Sequence, residues 1–278
     1  MPFRDSTIES IQDPIPSAGV DLFRLITDLG DPLFFILLVS LVYWLTDHRT
    51  AIWVVAAMLL VFGLTSGLKE LFAIERPAAE LQHITEDGYG IPSGYASGAV
   101  AIYGSLAALY DAGPRWARYG VAAVLAGLIA FSRLVLGVHY VADFVAGIAL
   151  GLFVVVLVVF FRARESSPLP FFVVGAVAAL VGAVLSDFTY GSALLLFGGA
   201  LAASALWLLI TPLPDPSRRT MALCSVFALP IVVGVSYVGL SVFDSPIALV
   251  SSTAIAMAVV LVLPHVGEQV ETRFAVGQ

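Results

Sequence analysis

The chain has 278 residues, of which 60% are hydrophobic and 12% are charged, and its formal net charge is −7. This composition excludes an ordinary soluble domain and is typical of a polytopic helical membrane protein. The negative charge argues against nucleic acid as a partner. The single cysteine, Cys224, excludes an intrachain disulfide and argues against a thiolate metal site.

Apolar stretches follow one another from residue 31 onwards. Residues 17–29 precede them and mix apolar with charged positions at helical spacing, which predicts an interfacial helix. A spanning helix needs about 20 mostly apolar residues. We therefore predict nine spans, near 31–46, 51–72, 93–111, 116–134, 139–161, 169–187, 192–211, 221–240 and 246–264. The predicted fold class is an all-α, polytopic membrane helix bundle with about nine transmembrane helices.

The stretch from Ser132 to Asp143 places an arginine, a histidine and an aspartate in an otherwise apolar sequence. Ionisable side chains are costly within a membrane, so this cluster indicates a functional site. If a helix begins near Val138, His139 and Asp143 lie four residues apart on one face. Asp143 would then hold one ring nitrogen and leave a lone pair on the other, as in covalent catalysis. An ordinary helix end with interfacial polar residues is the alternative for this stretch alone.

Three polar segments are expected at the same membrane face. Lys69 and Arg76 end the second predicted span, and residues 92–94 open the third. Arg133 belongs to the connection between the fourth and fifth spans, and its planar guanidinium suits a phosphate. The first N–H groups of the third span carry the positive end of the helix dipole towards an anion. Gly94 allows a ligand to approach the backbone closely. Phosphate matches this set of groups best.

The remaining arginines predict the orientation of the spans. The loops after the first, third, fifth and seventh spans and the C-terminal segment hold eight of them, Arg49, Arg115, Arg118, Arg162, Arg164, Arg218, Arg219 and Arg273. The opposite side holds Arg4 and Arg24 apart from the three cations of the candidate site. Because cytoplasmic loops carry the excess of positive charge, we expect a multi-pass plasma-membrane protein with its N-terminus and its site at the outer face.

Together, three motifs resemble the signature of the phosphatidic acid phosphatase type 2 / haloperoxidase superfamily, namely Lys69-x6-Arg76-Pro77, Pro92-Ser93-Gly94 and Ser132-Arg133-x5-His139-x3-Asp143. The resemblance covers about residues 30–165 and points to the membrane lipid phosphatase branch. It implies that His139 attacks phosphorus and becomes phosphohistidine, while Asp143 holds and charges the imidazole. It also implies that the phosphoryl oxygens are bound without a metal or other cofactor by Lys69, Arg76, Ser93, Gly94 and Arg133.

The chain departs from the family pattern P-S-G-H at Tyr95, where the family histidine usually protonates the leaving oxygen. A phenol, with a pKa of about 10, is a weaker general acid, and such an acid typically contributes about 10²–10⁴-fold in rate. The loss matters least when the leaving group is itself a phosphate, so we expect a lipid or isoprenoid diphosphate as the preferred substrate. His83, in the loop before Pro92, is either a substitute acid or a solvated bystander.

Two further patterns accompany the motifs. His139, Asp143, Gly147 and Gly151 recur every four residues, and we interpret the two glycines as close helix packing inside the monomer rather than as a dimer motif. Four acidic residues could suggest a carboxylate metal site, but beside Lys69 and Arg76 we interpret them as balancing charge. These are Glu70, Glu75, Glu86 and Asp87.

These observations predict three regions: a polar or interfacial segment 1–30, a phosphatase-like catalytic membrane core 31–165, and a four-helix membrane region 166–278 without a functional interpretation. We expect an integral membrane, metal-independent phosphatase of a lipid phosphate or diphosphate, surrounded by membrane lipids. Lipid phosphoryl or head-group transfer shares the first half-reaction and stays open. A non-catalytic lipid-phosphate binder or carrier would need only the cations, so the His139–Asp143 pair argues against it. A transporter would have polar residues near the bilayer midplane and ranks last.

Overall fold

The computed structural model describes residues 2–210, 212–241 and 245–276. Within them the chain forms eleven α-helices and one short 3₁₀ helix, Ala79–Leu81. The α-helices are α1 Pro2–Gln12, α2 Ser17–Asp28, α3 Pro32–Leu45, α4 His48–Phe72, α5 Gly94–Leu109, α6 Arg115–Val135, α7 Val141–Ala163, α8 Leu169–Leu185, α9 Gly191–Leu209, α10 Arg218–Ser241 and α11 Pro246–Val276. The all-α prediction is confirmed, and α2 is the helix expected at 17–29.

The nine predicted spans correspond one to one with α3 to α11. Among the described residues, six of these helices, α4, α6, α7, α9, α10 and α11, are long and apolar enough to cross a membrane. A seventh span results if α2 and α3, which bend by 43° at their junction, count as one. The helices α5 and α8 have only 16 and 17 residues. At the helical rise they extend about 24–26 Å, less than the hydrocarbon thickness of about 30 Å. Length therefore supports fewer spans than the nine expected.

The chain divides into two compact units. The first comprises residues 1–35 and 64–166, and the second comprises residues 36–63 and 167–278. In the first unit, α5 packs against α6 and α7, and α1 and α2 pack against α6. In the second unit, α9 packs against α8 and α11, and α10 packs against α11. All the candidate site residues lie in the first unit.

Glycines allow α5 and α7 to approach closely. A Cβ atom on Gly147 would lie 2.7 Å from the carbonyl oxygen of Ser93, and one on Gly151 would lie 2.7 Å from that of Ser97. Neither distance is compatible with a side chain, so both positions need glycine. The expected packing role of these two glycines inside the monomer is confirmed, and the contact fixes the first turn of α5 against α7.

The start of α7 differs slightly from the expectation. The helix begins at Val141, so His139 precedes it instead of lying on its first turn. The reason is that Asp143 Oδ2 accepts the backbone N–H of Tyr140 at 2.9 Å, which satisfies a donor that the helix cannot pair at its N-terminus. The same carboxylate oxygen still reaches the His139 ring, as expected from the spacing of four.

Candidate active site

His139 lies in the connection between α6 and α7 and is 1% exposed. Its Nδ1 atom is 3.2 Å from Asp143 Oδ2, and its Nε2 atom is 3.2 Å from Arg76 Nη1. A guanidinium only donates hydrogen bonds and a carboxylate only accepts them. These partners assign the ring proton to Nδ1 and the lone pair to Nε2. The geometry therefore presents a neutral imidazole with its basic nitrogen beside a cation.

The surroundings of His139 favour that neutral form. Burial lowers the pKa of His139 well below its ordinary value of 6.5, and the positive charges of Lys69, Arg76 and Arg133 lower it further. A backbone hydrogen bond with Gly90 acts in the opposite direction. At neutral pH the Nε2 lone pair is therefore available, which is the requirement for a nucleophile or a base.

The Arg76 guanidinium is held by several backbone carbonyls. Nε donates to Gly88 O at 3.1 Å, and Nη2 donates to Asp87 O at 3.1 Å. Nη1, the nitrogen beside His139, also donates to Val138 O at 3.0 Å. The guanidinium is thus fixed on both sides, and its Nη1 edge faces the imidazole.

Arg133, in the last turn of α6, is fully buried. Its Nη1 donates to Thr27 Oγ1 at 3.1 Å, and its Nη2 pairs with Glu86 Oε1. Its Cζ atom lies 3.8 Å from the centroid of the Tyr95 ring, a cation–π contact. Within the described part of the chain, the buried Nε–H finds no acceptor. A buried donor without a partner is unfavourable, so an oxygen ligand at this atom would be stabilising.

Lys69 completes the group of cations. It lies in the last turn of α4, is 5% exposed, and donates from Nζ to Tyr89 O at 2.8 Å. The structure therefore brings together the three cations that the sequence predicts for one site, around the buried His139–Asp143 pair.

The first turn of α5 is tied to the same cluster. Ser93 caps this helix, with its hydroxyl oxygen 3.5 Å from the Ala96 N–H, and its own N–H donates to Asp143 O at 3.0 Å. At Gly94 a Cβ atom would meet only Thr65 Cγ2, at 3.5 Å, so the space beside this backbone is nearly open. Ser93 and Gly94 lie where the sequence expects them, at the positive end of a helix.

Tyr95 faces the N-terminal segment of the chain. Its hydroxyl donates to Asp31 Oδ2 at 3.3 Å, while its ring packs against the guanidinium of Arg133. Tyr95 therefore positions an arginine as well as carrying a phenol. His83, the alternative acid, has an exposed side chain. Its position is fixed by its backbone, which donates to Leu136 O at 3.0 Å and accepts from Arg24 Nη2 at 2.8 Å.

Three residues of this cluster are not among the site residues predicted from the sequence. Thr27 contacts Arg133, Asp31 contacts Tyr95, and Glu86 pairs with both Arg133 and Arg76. Thr27 lies at the end of α2, a helix expected only to lie at the membrane interface, and Asp31 lies just beyond it, at the start of the first predicted span. For Glu86, the expected charge balance is correct, and the new finding is that one carboxylate serves two arginines. Among the described residues, no three His, Cys, Asp or Glu side chains are grouped to hold a metal ion.

The chain resembles known proteins over the part that contains this cluster. Residues 50–166 match the PAP2 superfamily. Phosphatidylglycerophosphatase B of Bacillus subtilis (strain 168) is 33% identical over an alignment of 172 residues, which covers 55% of this chain and 84% of the relative. No solved structure gives a significant match. The matched segment contains the imidazole, its carboxylate partner and the three cations, whereas Thr27 and Asp31 lie before it.

Proposed function

Because the chain belongs to the PAP2 superfamily, we propose that it is an integral membrane phosphatase that hydrolyses a lipid phosphate, and preferably a lipid or isoprenoid diphosphate. The observation that carries this proposal is the buried His139, held between Asp143 and Arg76 with its lone pair on Nε2. The relative that is 33% identical is named a phosphatidylglycerophosphatase, which supports a phosphorylated lipid as the substrate class.

In the proposed first step, His139 Nε2 attacks the phosphorus atom and forms an N–P bond. The bond between phosphorus and the leaving oxygen breaks, and its electron pair stays with that oxygen. The imidazole becomes positively charged in this step, and the Asp143 carboxylate, 3.2 Å from Nδ1, stabilises the charge. Water then attacks the phosphohistidine, releases phosphate and restores the neutral ring.

The three cations would stabilise the phosphoryl oxygens during both steps. Arg76 is suited to this because its Nη1 lies beside the attacking nitrogen. Arg133 has a buried Nε–H that lacks an acceptor among the described residues, and a phosphoryl oxygen would supply one. Charges held in place in a site without bulk water stabilise a transition state strongly, because they need no reorganisation during the reaction.

The preference for a diphosphate follows from Tyr95. Its hydroxyl already donates to Asp31 Oδ2, and a phenol releases its proton less readily than an imidazolium does. When the terminal phosphorus of a diphosphate is attacked, the leaving group is the lipid monophosphate, which needs little protonation, whereas the alkoxide that leaves from a monoester needs it most. The substrate tail would extend into the membrane. We propose that the site lies at the outer face of the plasma membrane, because the excess of arginines is on the opposite side. We assign catalysis to residues 31–165 with support from 1–30, and no catalytic role to 166–278.

The test is phosphate release by the purified full-length protein in detergent. A prenyl diphosphate and the matching prenyl monophosphate are compared at equal concentration, with and without a metal chelator. We expect faster release from the diphosphate and no effect of the chelator. A strong preference for the monophosphate contradicts the proposed substrate class, and no release from either contradicts phosphatase activity. Transfer of the phosphoryl group to an added lipid alcohol in place of water would identify a transferase.

A further inference from the structure

Four consecutive residues, 86–89, provide acceptors for all three cations of the site. Tyr89 O accepts from Lys69 Nζ, and Gly88 O and Asp87 O accept from Arg76. The first residue of this acceptor segment, Glu86, supplies the one side-chain carboxylate. The donors proposed to bind a phosphoryl group are therefore engaged by a single short segment of the chain.

The Glu86 carboxylate bridges the two arginines. Oε1 pairs with Arg133 Nη2, and Oε2 lies 3.7 Å from Arg76 Nη2. A phosphoryl group between two arginines would have the same arrangement, because two of its oxygens would each face a different guanidinium. A carboxylate and a phosphate cannot use the same two donors at once, and two anions side by side would repel each other.

Of the three side chains in this bridge, that of Glu86 is the most exposed. Arg133 is fully buried and fixed by Thr27 and by the Tyr95 ring. The Glu86 side chain, in contrast, is 24% exposed and lies in the loop before α5. Two residues later, Gly88 has a φ of +73°, so the backbone turns sharply there. Displacement of the carboxylate towards water would leave the helices in place.

We propose, building on the phosphatase function above, that Glu86 bridges Arg76 and Arg133 when no ligand is bound and that a terminal phosphate binds by displacing this carboxylate. Glu86 thereby determines the affinity of the site for phosphate. The ligand that displaces it is an anion with at least two terminal phosphoryl oxygens, either the head group of a lipid phosphate or free inorganic phosphate.

The displacement has a quantitative consequence. When only part of the population is competent to bind, the apparent dissociation constant exceeds the intrinsic one by the inverse of that fraction. Removing the competing carboxylate therefore tightens the binding of every phosphate ligand by the same factor. A residue that only positioned the arginines would have the opposite effect, because its loss would weaken binding.

The test uses Glu86→Gln, which keeps the size of the side chain, and Glu86→Ala, which removes its polar end. Glu80→Gln, an exposed glutamate on the 3₁₀ helix, is the matched control for the change in charge. The inhibition constant of inorganic phosphate and the KM and kcat for a lipid phosphate are measured, with calorimetric binding of inorganic phosphate as a separate readout. Melting temperatures in detergent establish that each variant is folded.

We expect both Glu86 variants to lower the inhibition constant and the KM together by at least about threefold. This factor corresponds to the free energy that a partly exposed ion pair contributes. Glu80→Gln changes neither constant. Weaker phosphate binding, unchanged binding, or a loss of kcat alone overturns the displacement. If the wild type releases no phosphate, the proposed function fails, and calorimetry still decides whether Glu86 competes with phosphate.

Discussion

The Nε2 atom of His139 lies 3.2 Å from Nη1 of Arg76. This contact joins the proposed nucleophile to one of the groups proposed to bind its target. In the proposed reaction a phosphoryl oxygen replaces Nε2 as the acceptor of the Nη1 N–H, which releases the lone pair as phosphorus approaches. The carbonyls of Val138 and Asp87 keep the guanidinium close to the ring throughout.

The pH dependence of activity should reflect the environment of His139. Burial and the surrounding cations hold the pKa of His139 well below 6.5. The neutral ring therefore persists below pH 6.5, and we expect the acidic limb of the kcat/KM profile that belongs to this ring to lie below that pH, because kcat/KM reports the free enzyme. An acidic limb that belongs to His139 but lies at or above pH 6.5 would contradict the assignment.

The same shift predicts how stability depends on pH. Below pH 6.5 the unfolded chain protonates His139 while the folded chain does not, so the free energy of unfolding decreases as the pH falls from 6.5 towards the folded pKa. Above pH 6.5 both states are neutral at this residue and the effect is absent. Unfolding in detergent should show this decrease in the wild type and a smaller one in His139→Gln. Equal slopes for the two proteins would exclude His139 as its source.

Asp143→Asn should lower kcat far more than it changes KM. The amide keeps the size of the side chain but removes the charge that stabilises the imidazolium. Comparable changes in other nucleophile–orienter pairs cost on the order of 10⁴-fold. Asp111→Asn is the matched control, because Asp111 is an exposed carboxylate paired with Arg118 at the other end of α5. A decrease in kcat/KM alone, with kcat preserved, would assign Asp143 to substrate binding instead.

Tyr95→His should increase the turnover of a lipid monophosphate by at least about tenfold, a part of what a general acid typically contributes. The turnover of a diphosphate should change little, because its leaving group needs no acid. Tyr95→Phe keeps an aromatic ring beside Arg133 and should produce no gain on the monophosphate. An equal gain on both substrates, or none on the monophosphate, would contradict the account of substrate preference.

Gly147→Ala should lower the melting temperature and the activity together. A Cβ atom at this position would lie 2.7 Å from Ser93 O and 2.9 Å from Ala96 Cβ, which displaces the first turn of α5. Overpacking of this kind typically costs about 1–3 kcal/mol. Gly127→Ala is the control, because no atom lies within 4 Å of a Cβ atom there. A stable, active Gly147→Ala protein would show that α5 and α7 tolerate a wider separation.

The sequence predicts the centre of the cluster, because the positions of these residues follow from short spacings and from the order of the spans along the chain. The spacing of four brings Asp143 to His139 even though α7 begins only at Val141. The alternation of predicted spans puts the ends of the second and the fourth, with Lys69, Arg76 and Arg133, at the same membrane face. The predicted helices are observed, but four of them, α3, α5, α8 and α9, are shorter than the spans predicted for them.

The surrounding contacts were not predictable from the same signals. Thr27 and Arg133 are separated by 106 residues, and Asp31 and Tyr95 by 64. No periodicity within a segment indicates such pairings, which depend on how α2 packs against α6. Glu86 was recognisable as an acidic neighbour of cations, but its bridge between two arginines depends on the path of a loop without regular structure.

The central claim is a phosphoryl group carried by His139, and its most direct measurement is the trapping of that intermediate. The full-length protein is mixed with a prenyl diphosphate labelled in its terminal phosphate and quenched under alkaline conditions within the first turnover. We predict one acid-labile, alkali-stable label on the peptide that contains His139, absent from His139→Ala, which should lose on the order of 10³-fold or more in kcat. His83→Ala should keep both label and activity. A label on another residue, or full activity in His139→Ala, would contradict the account.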